Sequence, residues 1–88
     1  MKLEFKEKIN GNLQAITDKG SRLIVYKKQD DFESIFKWVF ILPTTKFGTD
    51  ETKFWSEDYF DKSKDALDDL LYYLEGKFET SIEYEIGR

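Results

Sequence analysis

Residues 35–42 read Ile-Phe-Lys-Trp-Val-Phe-Ile-Leu, and Lys37 is the one charged side chain among them. Side chains alternate across a strand, so Ile35, Val39 and Ile41 share one face and Phe36, Trp38, Phe40 and Leu42 the other. A strand that is apolar on both faces normally lies inside a sheet and is covered on both sides. No other stretch constrains the fold as much. Pro43 ends the strand, because proline has no N–H to donate to a ladder.

The flanking segments supply its neighbours. Residues 2–9 alternate, with Leu3, Phe5 and Ile9 on one face and Lys2, Glu4, Lys6 and Lys8 on the other, the pattern of a half-solvated antiparallel strand. Asn10-Gly11 then suits a type I′ hairpin turn, whose central residues need positive φ. A second strand over 13–18, a turn over 18–21, a third strand over 22–28 and a short strand over 53–55, or on toward Tyr59, follow. Ala66, Leu67, Leu70, Leu71 and Leu74 recur at three- and four-residue spacing and predict one amphipathic helix over about 62–75. Asp61 is its expected N-cap, with Ser63 and Ser56 as competitors, and Gly76 its expected terminating glycine. Residues 78–86 alternate again, setting Phe78, Thr80, Ile82, Tyr84 and Ile86 against Glu79, Ser81, Glu83 and Glu85.

The expected architecture is therefore α+β and a single domain over 1–88: a twisted antiparallel sheet of five or six strands with one helix on one face, in the order β-β-β-β-(β)-α-β. Lys2, Lys6 and Lys8 complement Glu79, Glu83 and Glu85, so the first and last strands are either neighbours or two charged edges. One helix covers one face of the sheet. The second apolar face of residues 35–42 is then buried by curling of the sheet, by the aromatics Phe47, Phe54 and Trp55, or by a second chain.

Chemistry is restricted by what is missing. The 88 residues contain no histidine and no cysteine, which removes the imidazole general base, the thiolate nucleophile, disulfides and the usual zinc and iron–sulfur ligand sets. The adjacent acids Asp30-Asp31, Glu57-Asp58 and Asp68-Asp69 diverge on a strand or helix and do not by themselves form a carboxylate dyad. Asp50, Glu51, Glu57 and Asp58 lack the ligand alternation and central glycine of a calcium loop, and the scattered glycines make no phosphate cradle. The expectation is a protein that is not an enzyme and takes no cofactor or metal. A small chain without cysteine and without an apolar run of ~20 residues points to the cytoplasm and away from the membrane.

Charge is unevenly spread. Residues 1–28 hold seven basic side chains against three acidic, and residues 29–88 hold seven against fifteen, so the net −4 averages two opposite halves. The acids from Asp50 to Asp69 are interleaved with Phe54, Trp55, Tyr59 and Phe60, while Tyr72 and Tyr73 are adjacent on the helix, so one of them leaves the apolar stripe. Aromatic anchors among acids suit an interface with a basic protein, the acids steering the encounter. The expected partner surface is Trp55, Glu57, Asp58, Tyr59, Asp68, Asp69 and Tyr72. The expected function is a small acidic protein that occludes a macromolecule, as an inhibitor, immunity protein or antitoxin does. Two alternatives stand beside it: a nucleic-acid-binding module using Arg22, Tyr26, Lys27 and Lys28, and a subunit of a symmetric homo-oligomer such as a homodimer.

Residues 59–67, Tyr-Phe-Asp-Lys-Ser-Lys-Asp-Ala-Leu, are similar to the strand-into-helix passage of small sheet-plus-helix modules, among them HicB-type antitoxin domains and integrase arm-binding domains. The likeness covers about nine of the 88 residues and carries over no functional residue. The chain lacks the basic character of arm-binding domains.

Overall fold

The computed structural model describes residues 2–29, 34–43 and 52–87. The chain forms β1 (Lys2–Glu7), β2 (Leu13–Ile16), β3 (Arg22–Gln29), β4 (Ser34–Ile41), β5 (Lys53–Trp55), α1 (Ser63–Phe78) and β6 (Glu83–Gly87). The strands make one six-stranded sheet in the order β5-β4-β3-β2-β1-β6, with α1 packed on one face. This is an α+β fold. Asp30-Asp31 and the segment with Phe47, Asp50 and Glu51 lie outside the described residues.

Strand alternation builds the core. Leu3 and Phe5 of β1, Leu13 and Ala15 of β2, Leu23 and Val25 of β3, and Trp38 and Phe40 of β4 meet Ala66, Leu67, Leu70, Leu71 and Leu74 of α1. The helix stripe read from the spacing is the buried one. At about 1.5 Å per residue α1 is roughly 24 Å long, close to the ~26 Å of an eight-residue strand. It accordingly lies along β3 and β4, the two longest strands.

The sheet is mixed, not wholly antiparallel. β1 and β6 are neighbours, as their charges suggest, but they run parallel, with Leu3 opposite Tyr84 and Phe5 opposite Ile86. The short β5 decides this direction. Each of β1 to β5 is antiparallel to the next, so β5 runs the same way as β1. After β5, α1 carries the chain back, and β6 must again run with β1. Had the helix followed β4 directly, the same crossover would have delivered an antiparallel β6.

Local boundaries also differ from expectation. The link after β1 is a short 3-10 turn over Ile9–Gly11, with Gly11 at φ 78, and Ile9 is exposed there instead of continuing the inward row. The helix starts one residue later, with Lys62 at the N-cap position and no capping side chain. It also runs through Gly76 to Phe78, and Glu79 takes the left-handed C-cap conformation at φ 52 and ψ 43. The extra turn is held by packing: the Phe78 ring stands edge-on to Phe40 at 6.1 Å, and the Lys77 ammonium lies 4.3 Å from the centre of the Phe54 ring. The final strand is correspondingly short, Glu83–Gly87.

The face away from α1 carries Ile24, Ile35, Val39 and Ile41. Val39 and Ile41 are nonetheless buried. Ile24 and Trp55 flank Val39 across the ladder, and Arg22 and Lys53 flank Ile41. Phe54 sits on the helix side instead, against Phe40. Among the described residues, no helix is long and apolar enough to cross a membrane.

Candidate functional site

Beyond β5 the ladder is interrupted. Val39 pairs with Trp55, and the next bridge joins Phe36 to Phe60, so four residues, 56–59, oppose the two residues Lys37 and Trp38. This is a bulge, and one side chain stabilises it. Ser56, 2% exposed, accepts the Trp38 backbone N–H on Oγ at 3.3 Å and donates that hydroxyl to the Asp58 carbonyl at 3.0 Å. The Ser56 N–H donates to the Trp38 carbonyl at 3.0 Å, and beyond the bulge Phe36 and Phe60 exchange both backbone bonds at 2.7 and 2.9 Å. A hydroxyl thus replaces a ladder partner, and the extra residues Glu57 and Asp58 project into water.

α1 provides the facing wall. Asp69, Tyr72, Tyr73 and Gly76 recur at three- and four-residue spacing along one side of it. Asp69 Oδ2 accepts the Trp38 indole N–H at 2.8 Å. The Trp38 ring lies 4.9 Å from that of Tyr73, tilted by 35°. Between bulge and helix opens a cleft of about 490 Å³, with Trp38 and Tyr73 in its wall, Trp55, Glu57, Asp58, Asp69 and Tyr72 around it, and Lys77 at its end. Trp55 is 51% and Tyr72 80% exposed, so both offer aromatic surface to a partner.

Five of the seven expected partner-surface residues therefore line one cleft: Trp55, Glu57, Asp58, Asp69 and Tyr72. Asp68 is exposed on α1 but does not line it, because successive helix residues diverge by about 100°. Tyr59 belongs elsewhere. The Lys37 and Lys28 ammonium groups lie 4.6 and 5.2 Å from its ring centre, and Lys28 also donates to its hydroxyl at 3.2 Å. Trp38, Ser56, Tyr73 and Lys77 went unrecognised in the sequence. For Trp38 a signal existed: a buried indole N–H requires an acceptor.

The alternative set divides between faces. Arg22, Tyr26 and Lys28 alternate onto the face away from α1, where Tyr26 pairs with Lys37, while Lys27 points to the other side. The Lys27 N–H donates to Asn12 Oδ1 at 2.9 Å. A further cleft of about 370 Å³ opens where Thr17 and Lys19 approach Pro43 and Phe78, and none of the candidate residues lines it.

Fold and site define a small α+β domain with an acidic, aromatic cleft at one end of its sheet. No family model matches the chain, and no curated protein or solved structure matches it significantly.

Proposed function

We propose that this protein is a non-enzymatic binding domain that occludes a basic surface of another protein, in the manner of an inhibitor, immunity protein or antitoxin, and acts in the cytoplasm. The cleft between the β5 bulge and α1 is the contact. One observation carries the reading: the exposed Tyr72 lines a single concavity with Glu57, Asp58, Asp69 and the edge-strand residue Trp55. Aromatic anchors supply burial in such interfaces, and the surrounding acids raise the association rate with a basic partner. The test is an NMR titration with an arginine-rich peptide. Shifts confined to the cleft and weakened by salt support the proposal; shifts spread evenly, or none at low salt, overturn it.

A second reading has its own observation. Tyr59 and Tyr26 lie beside Lys28 and Lys37 on the face away from α1, an arrangement suited to stacking bases and holding phosphates. It requires oligo-dT to bind at low salt and to lose affinity on Tyr26→Ala or Tyr59→Ala. The acidic balance of the whole chain, net −4, opposes long-range attraction to a polyanion and places this reading second.

A further inference from the structure

We propose that the outer edge of β6 takes up a strand of another protein, one that alternates basic and apolar side chains, and extends the sheet by strand addition. This surface is separate from the cleft, and the inference does not rest on the occluding reading.

The sheet has two edges, and they are not alike. β5 is three residues long and runs into the Ser56 bulge, which spoils it as a template for pairing. β6 pairs regularly with β1 at each of its five residues and contains neither proline nor bulge. Among the described residues no strand lies beyond it. Alternate N–H and C=O groups of such a strand point away from the sheet and can pair with a further strand.

The two faces of β6 state what that strand must carry. Tyr84 packs edge-on to Phe5 at 6.3 Å on the helix side, and Ile86, on the same side, is 47% exposed. Glu83 and Glu85 alternate onto the open face and are exposed. β1 displays the matching pattern on the inner side: Leu3 and Phe5 stand opposite Tyr84 and Ile86, Lys2 stands opposite Glu83, and its ammonium lies 3.1 Å from Glu85. Glu4 stands opposite Glu85, so this end of the open face holds three carboxylates, Glu4, Glu83 and Glu85, against the ammonium groups of Lys2 and Lys6. A lysine-bearing strand beyond β6 supplies the missing positive charge and lays its apolar row beside Ile86. A second copy of the chain does not fit: β6 against β6 sets glutamate opposite glutamate, and like charges so placed repel.

The test uses the intact chain and the capped peptide Lys-Val-Lys-Val-Lys, with Lys-Lys-Lys-Val-Val as a control of the same composition and charge. The alternating peptide is expected to shift the backbone amide resonances of β6 and to slow hydrogen exchange at alternate ones, and the block peptide to do neither. Glu83→Gln with Glu85→Gln is expected to weaken binding about three- to tenfold, the worth of two cross-strand charge pairs. Asp61→Asn with Asp65→Asn makes the same change in net charge at exposed positions away from the edge and is expected to leave binding unchanged. Equal shifts from both peptides, equal losses from both double variants, or unaltered exchange in β6 overturn the proposal. So does slowed exchange that grows with the concentration of the chain alone, which assigns the edge to a second copy. Shifts confined to the cleft overturn strand addition and leave the occluding reading standing.

Discussion

Trp38 and Asp69, 31 residues apart, are joined by an indole N–H donated to a carboxylate oxygen at 2.8 Å. This bond ties β4 to α1 on the wall of the cleft. It gives Asp69 a structural duty that its neighbour Asp68 lacks, although both are acids on the same helix. Asp69→Ala is expected to cost about 1–3 kcal/mol, because the part-buried indole loses its acceptor. Asp69→Asn keeps an acceptor and should cost less, and Asp68→Ala should stay within about 0.5 kcal/mol. Urea unfolding checks the order; equal costs for the two alanine variants would contradict it.

Ser56 is the corresponding support in the bulge. Ser56→Ala leaves the Trp38 backbone N–H without its hydroxyl partner and should destabilise by about 1–3 kcal/mol. The amide resonances of Glu57 and Asp58 should move with it, since the hydroxyl also holds the Asp58 carbonyl. A stable variant with unmoved amides would show that the bulge does not depend on this side chain.

Steering by the cleft is best tested at Glu57 and Asp58, which carry no such structural duty. Reversing both to lysine should slow association with an arginine-rich peptide and flatten its salt dependence, with little change in the unfolding midpoint. An unchanged on-rate in stopped-flow measurements would exclude steering by these two acids.

The end of α1 contains two correctable strains. Gly76 lies inside the helix with open space where a Cβ would go, so Gly76→Ala should stabilise by up to about 1 kcal/mol. Glu79 holds a left-handed conformation that glycine adopts freely, and Glu79→Gly should stabilise by about 1 kcal/mol. Thermal unfolding of each variant measures the gain.

The parallel β1–β6 pairing brings Lys2 within 3.1 Å of Glu85. The hydrogen bond to Glu85, reinforced by its charge, raises the Lys2 pKa above the ordinary 10.5. A raised lysine value means that the contact contributes at neutral pH and fades as pH rises through the folded-state value above 10.5. Both side chains are more than half exposed, so the contribution is small and screened by salt. An NMR titration of the Lys2 side chain should show its midpoint fall in Glu85→Gln; an unmoved midpoint would mean that the ion pair does not persist in solution.

Much of the scaffold was legible in the residue pattern. The alternation of Leu3 and Phe5, of Leu23 and Val25, and of Phe36, Trp38 and Phe40 marks the faces that meet α1, and the stripe from Ala66 to Leu74 marks the helix surface that meets them. Burial depends on local periodicity, which a chain displays without knowing its partners. The helix end was misplaced because Gly76 is a strong local stop signal, overridden by the distant packing of Lys77 and Phe78 against Phe54 and Phe40.

The amino-acid sequence by itself determined the strand faces, the amphipathic helix, the complementary charges on the outer strands and the absence of histidine and cysteine chemistry. Only the tertiary structure decided that β6 runs parallel to β1, that Ser56 opens a bulge, that Trp38 meets Asp69 and that Tyr59 leaves the acids for two lysines. The reason is physical. Side-chain periodicity assigns faces, but backbone hydrogen bonds carry no residue identity, so strand direction follows from the number of preceding strands and contacts between distant residues follow from packing.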